Sequence, residues 1–258
     1  MKDSRSNNKK RWPVRRWIRV GFILWATFAM SWLTNSVRTQ GVDEVMLLSS
    51  NTSLVDNNNA GISFMPVAST EQPALVFFSG SGIAAEAYAP LLRPIADQGY
   101  PVFIIRLPYR FAPRAEDKQG AIDRAREVIL NYPDIPHWVI AGHSLGGALA
   151  ARMARSDAAS LSAMILVATT HPKDDNLSFL EMPVTKIYAS NDGIAPPDRM
   201  MANKNLLPAH TEWVQISGGN HSQFGRYGKQ LFDQTATISR QEQESLTRLA
   251  ILDVLANF

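Results

Sequence analysis

Gly142-His143-Ser144-Leu145-Gly146 lies between the apolar run from His137 to Ala141 and an Ala-rich stretch that continues through Gly147 to Arg155. A G-x-S-x-G spacing between a strand and a helix sets a serine on a strained turn, its hydroxyl exposed at the carboxyl end of a sheet. Glycine is required on both sides of that turn because strand and helix pass so close that a Cβ would collide. The stretch therefore predicts a buried strand, a nucleophile elbow and a helix.

The flanking sequence repeats the alternation. Apolar runs at Ala74 to Phe78, Val102 to Ile105, Trp138 to Ala141, Met164 to Ala168, Val184 to Ala189 and Trp213 to Ile216 read as strands. Segments with helical spacing fall between most of them, at Ala85 to Gln98, Glu116 to Tyr132 and Ser144 to Arg155, with a last helix at about Arg240 to Ala256. Such alternation predicts an α/β fold with a mostly parallel central sheet covered by helices on both faces. Gly99-Tyr100-Pro101 and Tyr132-Pro133 stop the first two helices. Val45 to Leu48 and Ile62 to Val67 are expected as short edge strands around a turn at Asn57 to Gly61. Only about 15 residues separate the Met164 and Val184 strands, which leaves no room for a lid domain and predicts an open site.

A serine nucleophile needs a base, and the base needs a carboxylate behind it. In chain order after Ser144, Asp192 follows a strand in Ser190-Asn191-Asp192-Gly193, and His221 follows the next in Gly218-Gly219-Asn220-His221. A neutral imidazole can take the serine proton during attack and return it to the leaving group, while the acid fixes its tautomer. Asp174 and Asp175, after the preceding strand, compete with Asp192 for the acid role. The oxyanion donors are expected at the Leu145 N–H, at the start of the helix, and at Ser81 in the loop Ser79-Gly80-Ser81-Gly82, with Gly82 next in line. Tyr109, Phe111 and Phe224 are possible pocket residues. His143 is expected to pack beside Ser144, and no pair of histidines has metal-ligand spacing, so no metal or cofactor is expected.

With 258 residues, 45% of them apolar and 19% charged, the chain suits one folded domain plus a tail. Residues 1–19 hold eight Lys/Arg against Asp3 alone, and the remainder carries 18 basic and 22 acidic residues, so the net charge of +3 belongs to the tail. The tail abuts the uncharged stretch Val20 to Val37, whose 18 residues would rise about 27 Å as a helix, close to a hydrocarbon core. Membrane targeting explains a basic tail in that position better than nucleic-acid binding. The expected organisation is a basic cytoplasmic tail (1–19), a transmembrane signal anchor (20–37), a linker with an edge strand (38–61) and a catalytic domain (62–258) outside the cytoplasm. Secretion after signal cleavage is the alternative, although no A-x-A site follows the apolar run. The absence of cysteine excludes disulfides, thiolate metal sites and lipid attachment through cysteine.

With these residues in place the chain resembles the α/β-hydrolase superfamily, and more closely the small lidless bacterial group related to dienelactone hydrolase, α/β-hydrolase family 5. The likeness runs from about Pro73 to Leu255. Its motifs here are Phe78-Ser79-Gly80-Ser81, Glu86-Ala87-Tyr88-Ala89-Pro90-Leu91, Gly142-His143-Ser144-Leu145-Gly146-Gly147, Ser190-Asn191-Asp192-Gly193 and Gly218-Gly219-Asn220-His221-Ser222-Gln223-Phe224-Gly225. Two departures stand out: Ser79 replaces the His or Pro that relatives often carry, and Ser144 replaces the cysteine of dienelactone hydrolase. The resemblance implies hydrolytic machinery without implying that enzyme's substrate. The expected protein is a membrane-anchored serine hydrolase, of carboxylesterase type, acting on a small-molecule ester through Ser144, Asp192 and His221. Acyl transfer by the same triad, or a non-catalytic membrane-tethered binding module, are the alternatives.

Overall fold

Runs of Val, Ile, Leu and Phe assemble into one eight-stranded sheet in the computed structural model, which describes residues 14–68, 71–173 and 175–258. The strands are β1 (Ser53–Asn57), β2 (Gly61–Pro66), β3 (Ala74–Phe78), β4 (Val102–Ile105), β5 (Trp138–His143), β6 (Ala163–Val167), β7 (Val184–Ala189) and β8 (Glu212–Ile216). Their order is β1-β2-β4-β3-β5-β6-β7-β8. Pairing is parallel from β4 to β8 and antiparallel where β2 meets β1 and β4.

Alternate residues of each inner strand enter two cores. Leu75, Phe77, Val102, Ile104, Val139 and Ala141 face a layer that also holds residues of α2 (Ala89–Ala96) and α6 (Arg240–Leu255). Val76, Phe78, Phe103, Ile105 and Ile140 face the opposite layer, with α3 (Ala115–Asn131) and α4 (Leu145–Asp157). Burial on both faces is why these strands read as continuous apolar runs. A short α5 (Pro197–Met201) follows β7. Of the expected helix from Ala85, the first turn is 3₁₀ and α2 begins at Ala89, with Pro90 in its first turn, where a missing N–H costs nothing.

The edge differs from expectation in one place. Val45 to Leu48 is not a strand: Glu44–Leu47 forms a 3₁₀ turn, capped by the Asp43 carboxylate accepting from Val45 N–H at 3.1 Å. Met46 and Leu47 pack on the α2 face, and Arg93 Nη1 donates to the carbonyls of Val45 (2.9 Å) and Leu48 (2.7 Å). The edge strand is the more polar Ser53–Asn57, which needs only a backbone ladder to β2. Between β6 and β7 the described residues hold no inserted domain.

At the amino end, α1 (Val14–Val37) is 24 residues long, about 36 Å, and long and apolar enough to cross a membrane. A signal sequence would satisfy the same criterion. The helix begins earlier than residue 20 and carries Arg15, Arg16 and Arg19 in its opening turns; residues 1–13 of the expected basic tail lie outside the described residues. Its side chains are largely exposed until Ser36, which is buried against the sheet-bearing domain.

Candidate active site

The chain reverses its winding direction at β3, whose neighbours are β4 on one side and β5 on the other. A crevice outside the carboxyl ends of the strands is expected at such a switch point. Ser144 follows β5 there, and Ser79 to Gly82 follow β3. Ser144 has φ 55° and ψ −114°, a strained conformation for a residue with a side chain. It is held by its N–H to Val167 O at 2.9 Å. The two glycines of the motif are sterically fixed: a Cβ on Gly142 would lie 2.2 Å from the Gly146 carbonyl, and one on Gly146 would lie 2.1 Å from Phe78 O. Elbow, helix and β3 are thus in backbone contact.

Asp192 and His221, on the loops after β7 and β8, meet at the same edge. His221 Nδ1 lies 2.8 Å from Asp192 Oδ2, and both side chains are buried. The other carboxylate oxygen accepts from the N–H groups of Ile194 (2.8 Å) and Ala195 (2.6 Å). A carboxylate only accepts, so Nδ1 carries the proton and Nε2 presents its lone pair. The His221 ring packs at a tilt of 44° against His143, the neighbour of Ser144, with centroids 4.6 Å apart. No hydrogen bond joins the Ser144 hydroxyl to the His221 ring among the described residues; such contacts commonly tighten only around substrate.

Asp233 is an organiser that sequence reading missed. Its Oδ1 accepts from Gly193 N–H and His221 N–H, each at 3.2 Å, and its Oδ2 from Ser222 N–H (2.8 Å) and Ser222 Oγ (2.6 Å). One buried carboxylate therefore ties the Asp192 loop to the His221 loop. Buried Gln243 of α6 clamps Asn220 from behind, accepting from its N–H at 3.0 Å and donating to its carbonyl at 2.7 Å.

The loop after β3 is fixed by a second network. Gly80 N–H donates to Tyr88 Oη at 2.9 Å, and that hydroxyl lies 2.9 Å from His143 Nδ1. Burial, with the His221 ring beside it, pushes the His143 imidazole well below its ordinary value, so it is neutral. Burial likewise pushes the Tyr88 phenol upward and keeps it protonated. Gly82 N–H is committed to Arg110 O at 2.7 Å, which removes it as an oxyanion donor. Among the described residues the N–H groups of Ser81 and Leu145 have no protein acceptor. Buried Ser79 Oγ has no hydrogen-bond partner among the described residues.

Of the expected pocket residues, Tyr109 and Phe111 stand exposed on the loop after β4. Phe224 does not line an opening: it is 1% exposed and packs 5.7 Å from the His143 ring, because the 3₁₀ turn His221–Phe224 rolls it into the core. Asp175 is engaged by Arg155 near the end of α4, and Asp174 lies outside the described residues.

Residues 74–245 match the model of the Alpha/beta hydrolase family. Among solved structures, Est1E from Butyrivibrio proteoclasticus superposes with a TM-score of 0.59 at 12% identity, covering 80% of this chain and 99% of that one. A ferulic acid esterase from Streptomyces cinnamoneus gives 0.60 at 19% identity, covering 74% of this chain and 68% of that one. At these identities the likeness is one of fold. None of the curated proteins compared with the chain matches it.

Proposed function

The chain belongs to the alpha/beta hydrolase family, and from that premise we propose that it is a membrane-anchored serine hydrolase cleaving carboxylic esters. Ser144 Oγ attacks the ester carbonyl while His221 Nε2 takes its proton. The tetrahedral intermediate then breaks its C–O bond, and the imidazolium returns the proton to the departing alkoxide. Water, deprotonated by the same nitrogen, releases the acid and restores Ser144. Asp192 holds the Nδ1–H and stabilises the imidazolium as it forms. The Leu145 and Ser81 N–H groups receive the oxyanion, each worth a few kcal/mol in the transition state.

The observation that carries this reading is the buried 2.8 Å pairing of Asp192 with His221 beside a serine held at φ 55°. The ferulic acid esterase neighbour supports esters as the bond class by analogy of fold. Retention of α1 as an anchor is supported by its docked end: Arg110 Nη2 donates to Val37 O at 3.3 Å and the Asn35 backbone lies against Gly228. A cleaved signal peptide has no reason to be built into the domain that it leaves.

A fluorophosphonate probe tests the mechanism. Wild-type protein should be labelled and should hydrolyse a short umbelliferyl ester, and Ser144→Ala should do neither while keeping its circular dichroism. Labelling or substantial turnover that survives in Ser144→Ala refutes it.

A further inference from the structure

The end of α1 docks at the rim of the candidate active site rather than elsewhere on the domain. Val37 and Phe111 both crowd onto Gly82, in the loop that carries Ser81: a methyl placed on Gly82 would lie 3.1 Å from Val37 Cγ1 and 2.8 Å from Phe111 Cε1. Arg110 Nη2 donates to Val37 O at 3.3 Å, and the Asn35 backbone lies against Gly228. Ser36, Val37, Thr39 and Gln40 are all bound to the domain, so no free linker intervenes. A 24-residue helix rises about 36 Å, whereas a hydrocarbon core is about 30 Å thick, so its last turn falls at the headgroup level.

The same edge carries exposed apolar side chains on both sides of Ser144. Tyr109 (74% exposed) and Phe111 (50%) stand on the loop after β4, where Tyr109, Arg110 and Ala112 all have positive φ. Leu231 (50%) and Phe232 (80%, φ 72°) stand on the segment whose backbone abuts Gly193, next to Asp192. Single exposed apolar residues elsewhere are ordinary surface. These four share the edge at which the apolar helix arrives, and a lipid surface is the environment that solvates all of them.

We propose that the carboxyl edge of the sheet rests on the bilayer and that the substrate is a membrane-resident amphiphile, a long-chain acyl ester whose ester group sits at headgroup depth. Leu231 and Phe232 seat the rim in the leaflet, and the ester reaches Ser144 without leaving the membrane. This rests on the serine hydrolase reading for its chemistry and on the docked helix for its geometry.

The test uses the full chain in dioleoylphosphatidylcholine vesicles. The chain has no cysteine, so Phe232→Cys and, at the far end of α3, Leu130→Cys each give a unique site for a nitroxide. The label at 232 should be accessible to oxygen and shielded from a water-soluble relaxant, and the label at 130 the reverse. Umbelliferyl oleate dissolved in the vesicles should be hydrolysed about tenfold more slowly by the Leu231→Ser/Phe232→Ser variant, with turnover of soluble umbelliferyl acetate unchanged. A label at 232 as water-exposed as the one at 130, or oleate turnover unaffected in the variant, overturns the proposal. Absence of turnover of both esters by the wild type, or turnover surviving in Ser144→Ala, defeats the hydrolase reading and the substrate assignment with it; the label depths report the position of the edge independently.

Discussion

Asp192 and Asp175 sit on successive loops, yet their surroundings differ in kind. Asp192 is buried and bonded to His221 Nδ1, whereas Asp175 answers Arg155. Asp192→Asn should lower kcat by roughly 10³–10⁴-fold, because an amide cannot hold the imidazole in the tautomer that presents Nε2. Asp175→Asn should stay within a few-fold of wild type, and ester kinetics on the two variants separate the roles. Ser79 makes a contrasting case: its buried hydroxyl lacks a partner among the described residues, so Ser79→Ala should be neutral or stabilise the fold by about 1 kcal/mol in urea unfolding, with activity retained. A loss above that size would mean that the hydroxyl is satisfied in solution. The candidate residues Ser144, Asp192 and His221 could be picked out of the sequence because each follows a strand within a short motif. Asp233 was not, since its partners at Gly193 and His221 lie 40 and 12 positions away and nothing nearby marks it off from a surface acid.

At the scale of elements, the inner strands could be read directly, because burial on both faces leaves a mostly apolar run. The edge could not. The apolar patch Val45 to Leu48 turns under the Asp43 cap, while polar Ser53–Asn57 pairs through its backbone alone. Inside β7, Lys186 breaks the apolar run and is nevertheless fully buried, its Nζ 2.5 Å from His171 O and 5.6 Å from the centre of the Trp213 ring. Burial lowers its ammonium from 10.5 to about 7. Between those values the unfolded chain binds more protons than the folded one, so stability should rise as pH climbs from 7 towards 10.5, and the cost of the buried charge is fully felt below 7. Lys186→Met should lose much of that slope, an effect of a few kcal/mol across the window. Urea unfolding at pH 7 and pH 9.5 measures it, and parallel slopes in the two proteins would assign the pH dependence to other groups.

For the whole molecule, the distribution of charge predicts the orientation of the proposed anchor. Eight basic residues precede the uncharged stretch and only Arg38 closely follows it, so the amino end should stay in the cytoplasm and the sheet should lie outside. Protease added to spheroplasts should degrade the sheet-bearing domain and leave residues 1–19 on a membrane-bound fragment, given a control showing that the folded domain can be cut. Protection of the full-length, still anchored chain until the membrane is broken would reverse this orientation. The length and composition of α1 were legible as a candidate span; its docking on Gly82 and Gly228 was not, because it joins residues far apart in the chain whose side chains carry no shared pattern. That docking leaves the joint at Val37 without slack. With the helix in a bilayer, encounters become a search in two dimensions. Turnover would then follow the mole fraction of ester in that one membrane rather than its molarity in the compartment, and diluting the leaflet with inert lipid would slow the protein even at constant total substrate.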